Sequence, residues 1–114
     1  MIIRRNEMKT EIKEKMRGGD GAAHFIHLVD CEKEKNVRLL AEITLAPGDS
    51  IGKHNHESEA EYYFIQSGSG TVNDNGIDTP VHAGDTMITK DGASHSIANT
   101  GDVPLIFNAV IVTY

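Results

Sequence analysis

An all-β fold, a barrel or jelly-roll sandwich of short antiparallel strands, is what this sequence predicts. Three observations carry the prediction. Short runs rich in branched and aromatic residues recur along the chain, as at residues 37–45 (VRLLAEITL), 62–66 (YYFIQ) and 105–113 (LIFNAVIVT), and such residues suit a pleated, half-buried surface. Turn signals separate the runs: Pro47-Gly48, Asn75-Gly76, Ala83-Gly84, Asp91-Gly92 and Gly101 to Pro104. No dinucleotide fingerprint, P-loop or internal repeat points to another architecture. Many short strands with regular turns imply a closed or two-sheet β structure, with less than about 15% helix.

Each element follows from the local pattern. Met1 to Ile3 suits a short terminal strand. Between Asn6 and Arg17, Met8, Ile12 and Met16 have helical spacing, yet the same stretch alternates as a strand with Thr10 and Glu14. The expectation is an extended arm lying across another element and ended by Gly18, Gly19 and Gly21. Residues 1–22 then form an N-terminal strand or arm, and residues 23–114 the barrel. His24 to Val29 is a strand on which His24 and His27 face opposite ways, so that one of them can line a cavity. Asp30 to Asn36 is a charged loop. Val37 to Leu45 is a strand with Leu39, Ala41, Ile43 and Leu45 on one face. Arg38 and Glu42 fall on the other, solvated unless inside and outside are reversed. Tyr62 to Gln66 is a strand, Ser67 to Gly70 a turn, and Thr71 to Asn73 begins the next strand. Asn75-Gly76 marks a tight hairpin. Thr79 to His82, Thr86 to Thr89, Ser94 to Ala98 and Leu105 to Thr113 complete the set.

Composition bounds the function. A chain of 114 residues makes one domain with a modest core. The net charge is −6, and nine of the eleven Lys and Arg lie in the first 38 residues. The rest carries Lys53 and Lys90 against ten acids. Such a surface repels a phosphate backbone, so nucleic acid is not expected as a partner. No apolar stretch approaches the roughly 18 residues that span a membrane, and no signal core precedes a cleavage site. Cys31 is alone and forms no intramolecular disulfide. A cytoplasmic protein is the expectation.

The stretch from Gly48 to Gly68 carries the chemistry. It holds His54 and His56, one residue apart, and Glu61. A His-x-His pair on extended backbone puts both rings on one face. A turn through Glu57 to Ala60 brings the carboxylate back beside them. Imidazole and carboxylate are ligands for first-row transition metals, and His95 is the fourth candidate. The spacing Gly48, His54, His56, Glu61, Gly68 resembles the first motif of the cupin family. Gly84, Gly92, His95 and Asn99 resemble the second, with Lys90 where the family usually places proline.

The resemblance implies a cupin-type antiparallel β-barrel, a double-stranded β-helix or jelly roll, with one divalent transition metal inside on His54, His56, Glu61 and His95. It implies iron or manganese with two open positions; zinc or nickel is the alternative. Three neutral imidazoles and one carboxylate leave a divalent site positive, which favours a small anionic or chelating metabolite. The function implied is oxygenase or isomerase and lyase chemistry. A non-catalytic binding or sensing barrel, even a metal-free carbohydrate-binding one, is the alternative. The family also implies a homodimer paired back to back, for which outward Tyr62 and Phe64 are suited. Tyr63 shares the inward parity of Glu61 and reads either as a core aromatic or as a cavity donor, in which case it is the candidate for catalytic proton transfer. Glu57 and Glu59 read as exposed loop acids, Asn99 as a turn-stabilising residue and His82 as exposed.

Overall fold

Alternating apolar positions settle into strands where each can bury one face, and the arrangement is a two-layer one. A computed structural model describes all residues, 1–114. Ten strands run in order: β1 Lys9–Glu14, β2 Ala22–His27, β3 Val37–Leu45, β4 Ser50–Asn55, β5 Glu59–Ser67, β6 Ser69–Asp74, β7 Ile77–His82, β8 Thr86–Lys90, β9 Ser94–Ala98 and β10 Leu105–Thr113. The only helical turns are 3-10 turns at Arg5–Glu7, Met16–Gly18 and Cys31–Lys33. A six-stranded antiparallel sheet has the order β1-β2-β3-β10-β5-β8, and a four-stranded one the order β4-β9-β6-β7. This is the jelly roll the turn pattern predicts.

The core lies between the sheets. Phe25, Ile43, Leu45, Leu105 and Phe107 come from the larger sheet, and Ile51, Val72 and Ile97 from the smaller. Along β3, Ala41, Ile43 and Leu45 are buried and Leu39 half-buried, on the face the sequence assigned. The hairpin at Asn75-Gly76 forms with both residues at positive φ, 49° and 99°, as a tight turn of that kind requires.

Three local readings change. Ser69 and Gly70, read as part of a turn, already belong to β6. Met1 to Ile3 forms no strand, since no neighbouring strand edge pairs with it. The chain between His54 and Glu61 turns sooner than expected. Ser58 takes the left-handed conformation, φ 58°, and β5 begins at Glu59, paired with Thr113, while Ala60 pairs with Lys90. Glu59 and Ala60 are therefore strand residues. At Lys90 the missing proline costs nothing visible: Asp91 and Gly92 both take positive φ, 56° and 81°, and the Ala93 amide donates to the Lys90 carbonyl at 3.0 Å.

The N-terminal stretch is extended where the strand reading put it. β1 pairs with β2 from Lys9↔His27 to Glu14↔Ala22. The segment that follows is clasped against β4. A Cβ on Gly52 would sit 2.1 Å from the Arg17 carbonyl oxygen, and one on Gly19 would sit 2.3 Å from that of Ser50. Only glycine permits so close an approach. The Ser50 amide donates to the Asp20 carbonyl at 2.9 Å, and Ser50 Oγ accepts from the Asp20 amide at 2.8 Å.

Candidate metal centre

Four strands of the two sheets meet at one point. β4 brings His54, which lies opposite His95 of β9 in the ladder. His56 follows the end of β4. β5 brings Glu61, which lies opposite Thr89 of β8. His56, Glu61 and His95 are buried, and the His54 side chain nearly so. One ligand atom from each of the four lies within 4.8 Å of the others. His95 Nε2 is 3.0 Å from both His54 Nε2 and His56 Nε2. Glu61 Oε1 is 2.9 Å from His56 Nε2 and His95 Nε2, and 3.8 Å from His54 Nε2.

The outer ring nitrogens fix the tautomers. His54 Nδ1 is 2.8 Å from the Gly52 carbonyl oxygen, an acceptor, so Nδ1 carries the proton. His56 Nδ1 is 2.5 Å from Glu59 Oε2 and donates to that carboxylate. His95 Nδ1 is 2.8 Å from Thr89 Oγ1 and can donate to it. All three Nε2 lone pairs then face the same point as Glu61 Oε1, which is buried with no hydrogen-bond partner. Convergent lone pairs repel, and an orphaned buried carboxylate oxygen is costly. A cation among them removes both penalties. The four closest separations also match the edge of about 3.0 Å between neighbouring ligands on an ion with bonds of about 2.1 Å. The residues present fit a divalent transition metal.

Electrostatics agree. Burial alone pushes the Glu61 carboxyl up; protons donated from the three Nε2 atoms would more than reverse this, but with the protons on Nδ1 that compensation falls to a cation. Burial holds the His95 imidazole down, towards the neutral form a metal needs. Burial opposes charge on His56 too, but Glu61 and Glu59 outweigh it and raise its pKa. Tyr63 is buried, stacked on His95 with centroids 4.9 Å apart and packed on Phe107 at 4.7 Å. Burial and the Glu61 charge push its phenol well up, so it stays protonated.

A cavity of about 870 Å3 leads to this cluster, with His54, His56, Glu61 and Tyr63 on its wall. Leu39, Ile43, Ile51 and Ile111 supply apolar surface. His27 of β2 also lines it, bonded to Glu11 of β1 at 2.9 Å, whereas His24 and His82 are exposed. Asn99 is buried, donates to the Leu45 and Val103 carbonyls and accepts from the Gly101 amide. It holds a turn, as its place in the sequence suggests.

Two supporting residues escaped the sequence reading. Glu59 is no loose surface acid: it contacts His56 and is gripped by Arg38 at 3.0 and 2.7 Å. Its two-residue offset from Glu61 was the available signal, since i and i+2 share a strand face. Thr89, opposite Glu61 and beside His95, had the same kind of signal in its parity with buried Met87.

Fold and site together define a small β-barrel with a metal-binding interior, and the chain belongs to the cupin family: the cupin domain profile matches residues 41–113. The chain is 46% identical over 113 residues to an oxalate-binding protein of Thermotoga maritima, covering 98% of this chain and 93% of that protein. It is similar to the crystal structure of a predicted oxalate decarboxylase from Thermotoga maritima, with TM-score 0.94, 44% identity and both chains fully covered. A Klebsiella pneumoniae protein with a double-stranded β-helix domain matches with TM-score 0.67 and 31% identity, over 78% of this chain and 76% of that one.

Proposed function

We propose that this cupin holds one divalent transition metal on Nε2 of His54, His56 and His95 and Oε1 of Glu61, and takes a small chelating dianion of the oxalate class at that metal. The observation that carries the reading is the orphaned Glu61 Oε1 among three converging Nε2 atoms. Iron or manganese is the family's expectation; zinc or nickel competes on affinity. When bound, the ion supplies Lewis-acid polarisation of the ligand's oxygens.

The chain's own residues do the rest. Glu61 neutralises one of two metal charges, so the loaded site keeps an attraction for an anion. Leu39, Ile43, Ile51 and Ile111 make a weakly solvating wall, which strengthens that attraction. Tyr63 is the candidate catalytic donor, because its phenol keeps its proton beside Glu61 and His95. The similarity to an oxalate-binding protein favours binding as the primary role. The Tyr63 phenol favours a second reading, lyase or isomerase turnover. Pairing as a homodimer through the outer face of the larger sheet belongs to the same proposal, and a reducing cytoplasm suits the free Cys31.

The test uses protein purified without an affinity tag. Elemental analysis should find about one ion per chain. After chelation, titration with manganese, iron, zinc or nickel should restore it, and at a hundredfold excess over Kd should add about 2.7 kcal/mol of stability. Oxalate, with longer dicarboxylates beside it, should bind the loaded protein only. Release of CO2 that stops on Tyr63→Phe would establish turnover. Equal oxalate affinity with and without metal would sink the proposal.

A further inference from the structure

The three imidazoles are not backed alike. His54 leans on the Gly52 carbonyl and His95 on the Thr89 hydroxyl, both neutral, while His56 leans on the Glu59 carboxylate. A carboxylate behind a ligating imidazole raises its basicity and fixes its ring. Glu59 is in turn held by both nitrogens of an Arg38 fork. That arginine arrives by an irregularity. In a regular β3 it would share the outward face of Leu40 and Glu42. The ladder instead pairs Leu39 with Ile111 and Val37 with Val112, which leaves Arg38 without a partner. Such a bulge re-aims one side chain, and here it turns Arg38 onto Glu59 at the cavity wall.

We infer that the Arg38–Glu59 pair is a positioning device that divides charge between the metal and the incoming anion. Glu59 strengthens His56 as a ligand. Arg38 cancels the charge this adds, so that the loaded site keeps its pull on an anion. With Glu59 alone, the second carboxylate near the ion erases the net positive charge. With Arg38 alone, an uncompensated cation opposes metal entry. Only the pair serves both. This rests on the metal reading given above and extends it to residues outside the ligand set.

The two halves of the pair have opposite signatures. Glu59→Gln should weaken metal binding by about 10- to 100-fold, and the metal-saturated variant should bind anions at least as tightly as the wild type. Arg38→Met should keep metal affinity and lose about three- to tenfold in anion affinity, an effect that shrinks in high salt. Arg38→Lys should restore most of the anion affinity. Calorimetry with manganese, then with oxalate and with azide as a substrate-independent anion, reads all of these. The Arg5–Glu42 pair on the outer face has the same bidentate form at 3.0 and 2.9 Å, so Arg5→Met and Glu42→Gln are the controls and should move neither affinity. A merely structural pair would lower both affinities in both variants, in step with the melting temperature of the metal-free protein. That result, or equal shifts in the controls, overturns the inference. If wild type takes no oxalate but azide affinity still splits between the variants, the oxalate reading fails and the inference stands.

Discussion

At Glu61 a single oxygen decides between two descriptions of the metal-free site. If protons sit on the Nε2 atoms, the 2.9 Å contacts to His56 and His95 are hydrogen bonds and the carboxylate is satisfied. If protons sit on Nδ1, as the Gly52 carbonyl and the Glu59 carboxylate require, it is an orphan. The second description is the stronger, because an acceptor cannot bond a lone pair. Glu61→Gln tests it. The amide removes a buried uncompensated charge and offers its own donors to the Nε2 lone pairs. In chelator, the variant should be more stable than wild type by about 1–3 kcal/mol. With metal present the order should reverse, since the variant has lost its anionic ligand. Thermal melts with and without manganese measure both; a metal-free variant that melts lower would assign the protons to Nε2. The four ligand candidates were legible because spacing alone places them: His54 and His56 by strand parity, Glu61 and His95 by their motifs. Glu59 was hidden by a turn drawn two residues too long, and Arg38 by a bulge, which no residue in the sequence announces.

Among the elements, the strands were legible wherever burial alternates with period two, as in β3 and β10. The N-terminal stretch was ambiguous because its apolar residues fit two periods, and because β1 inverts the usual pattern. Ile12 points outward, 61% exposed, while Glu11 and Lys13 face the cavity. Inward charge is one way an edge strand avoids further pairing, and Lys13 Nζ sits 4.7 Å above the Phe25 ring. What fixes this edge beyond its own ladder is the clasp of Met16–Gly18 and Gly19 on β4. Gly52→Ala drives a methyl into the Arg17 carbonyl and should release the clasp at a cost of about 2 kcal/mol or more. Trypsin would then cut after Lys15 and Arg17 faster than in wild type, with β3 and β10 still protected from hydrogen exchange. A variant with wild-type cleavage would show that the β1–β2 ladder alone holds the segment. Gly48→Ala is the comparison: its φ of 89° strains any side chain, but no atom lies within 4 Å of a Cβ there.

For the molecule as a whole, the outer face of the larger sheet is the feature a single chain leaves unexplained. Leu40, Val110, Tyr62 and Ile88 lie opposite one another across β3, β10, β5 and β8. All are on the side away from the core; Ile88 is 51% exposed, and Phe64, beside Tyr62 with rings stacked at 6.5 Å, is 42% exposed. A flat row of branched and aromatic side chains facing water is apolar surface that a partner would bury. A second copy presents the same row, and two-fold pairing sets it against itself. The Arg5–Glu42 pair lies beside this row, with Glu42 two residues along β3 from Leu40, and supplies polar contacts of the kind that border an apolar interface core. Sedimentation equilibrium at micromolar concentration should therefore give twice the chain mass of 12.4 kDa. Ile88→Lys, at the β8 end of the row, and Phe64→Lys, beside Tyr62, should each shift the equilibrium towards the single chain, because each would bury a charge in the paired face. Neither residue touches the metal cluster, so metal content should stay near one ion per chain in the dissociated protein. A wild type that sediments as one chain throughout that range would refute the pairing. Loss of metal on dissociation would show that the partner supports the site, and would move the proposed interface from the outer face to the cavity mouth.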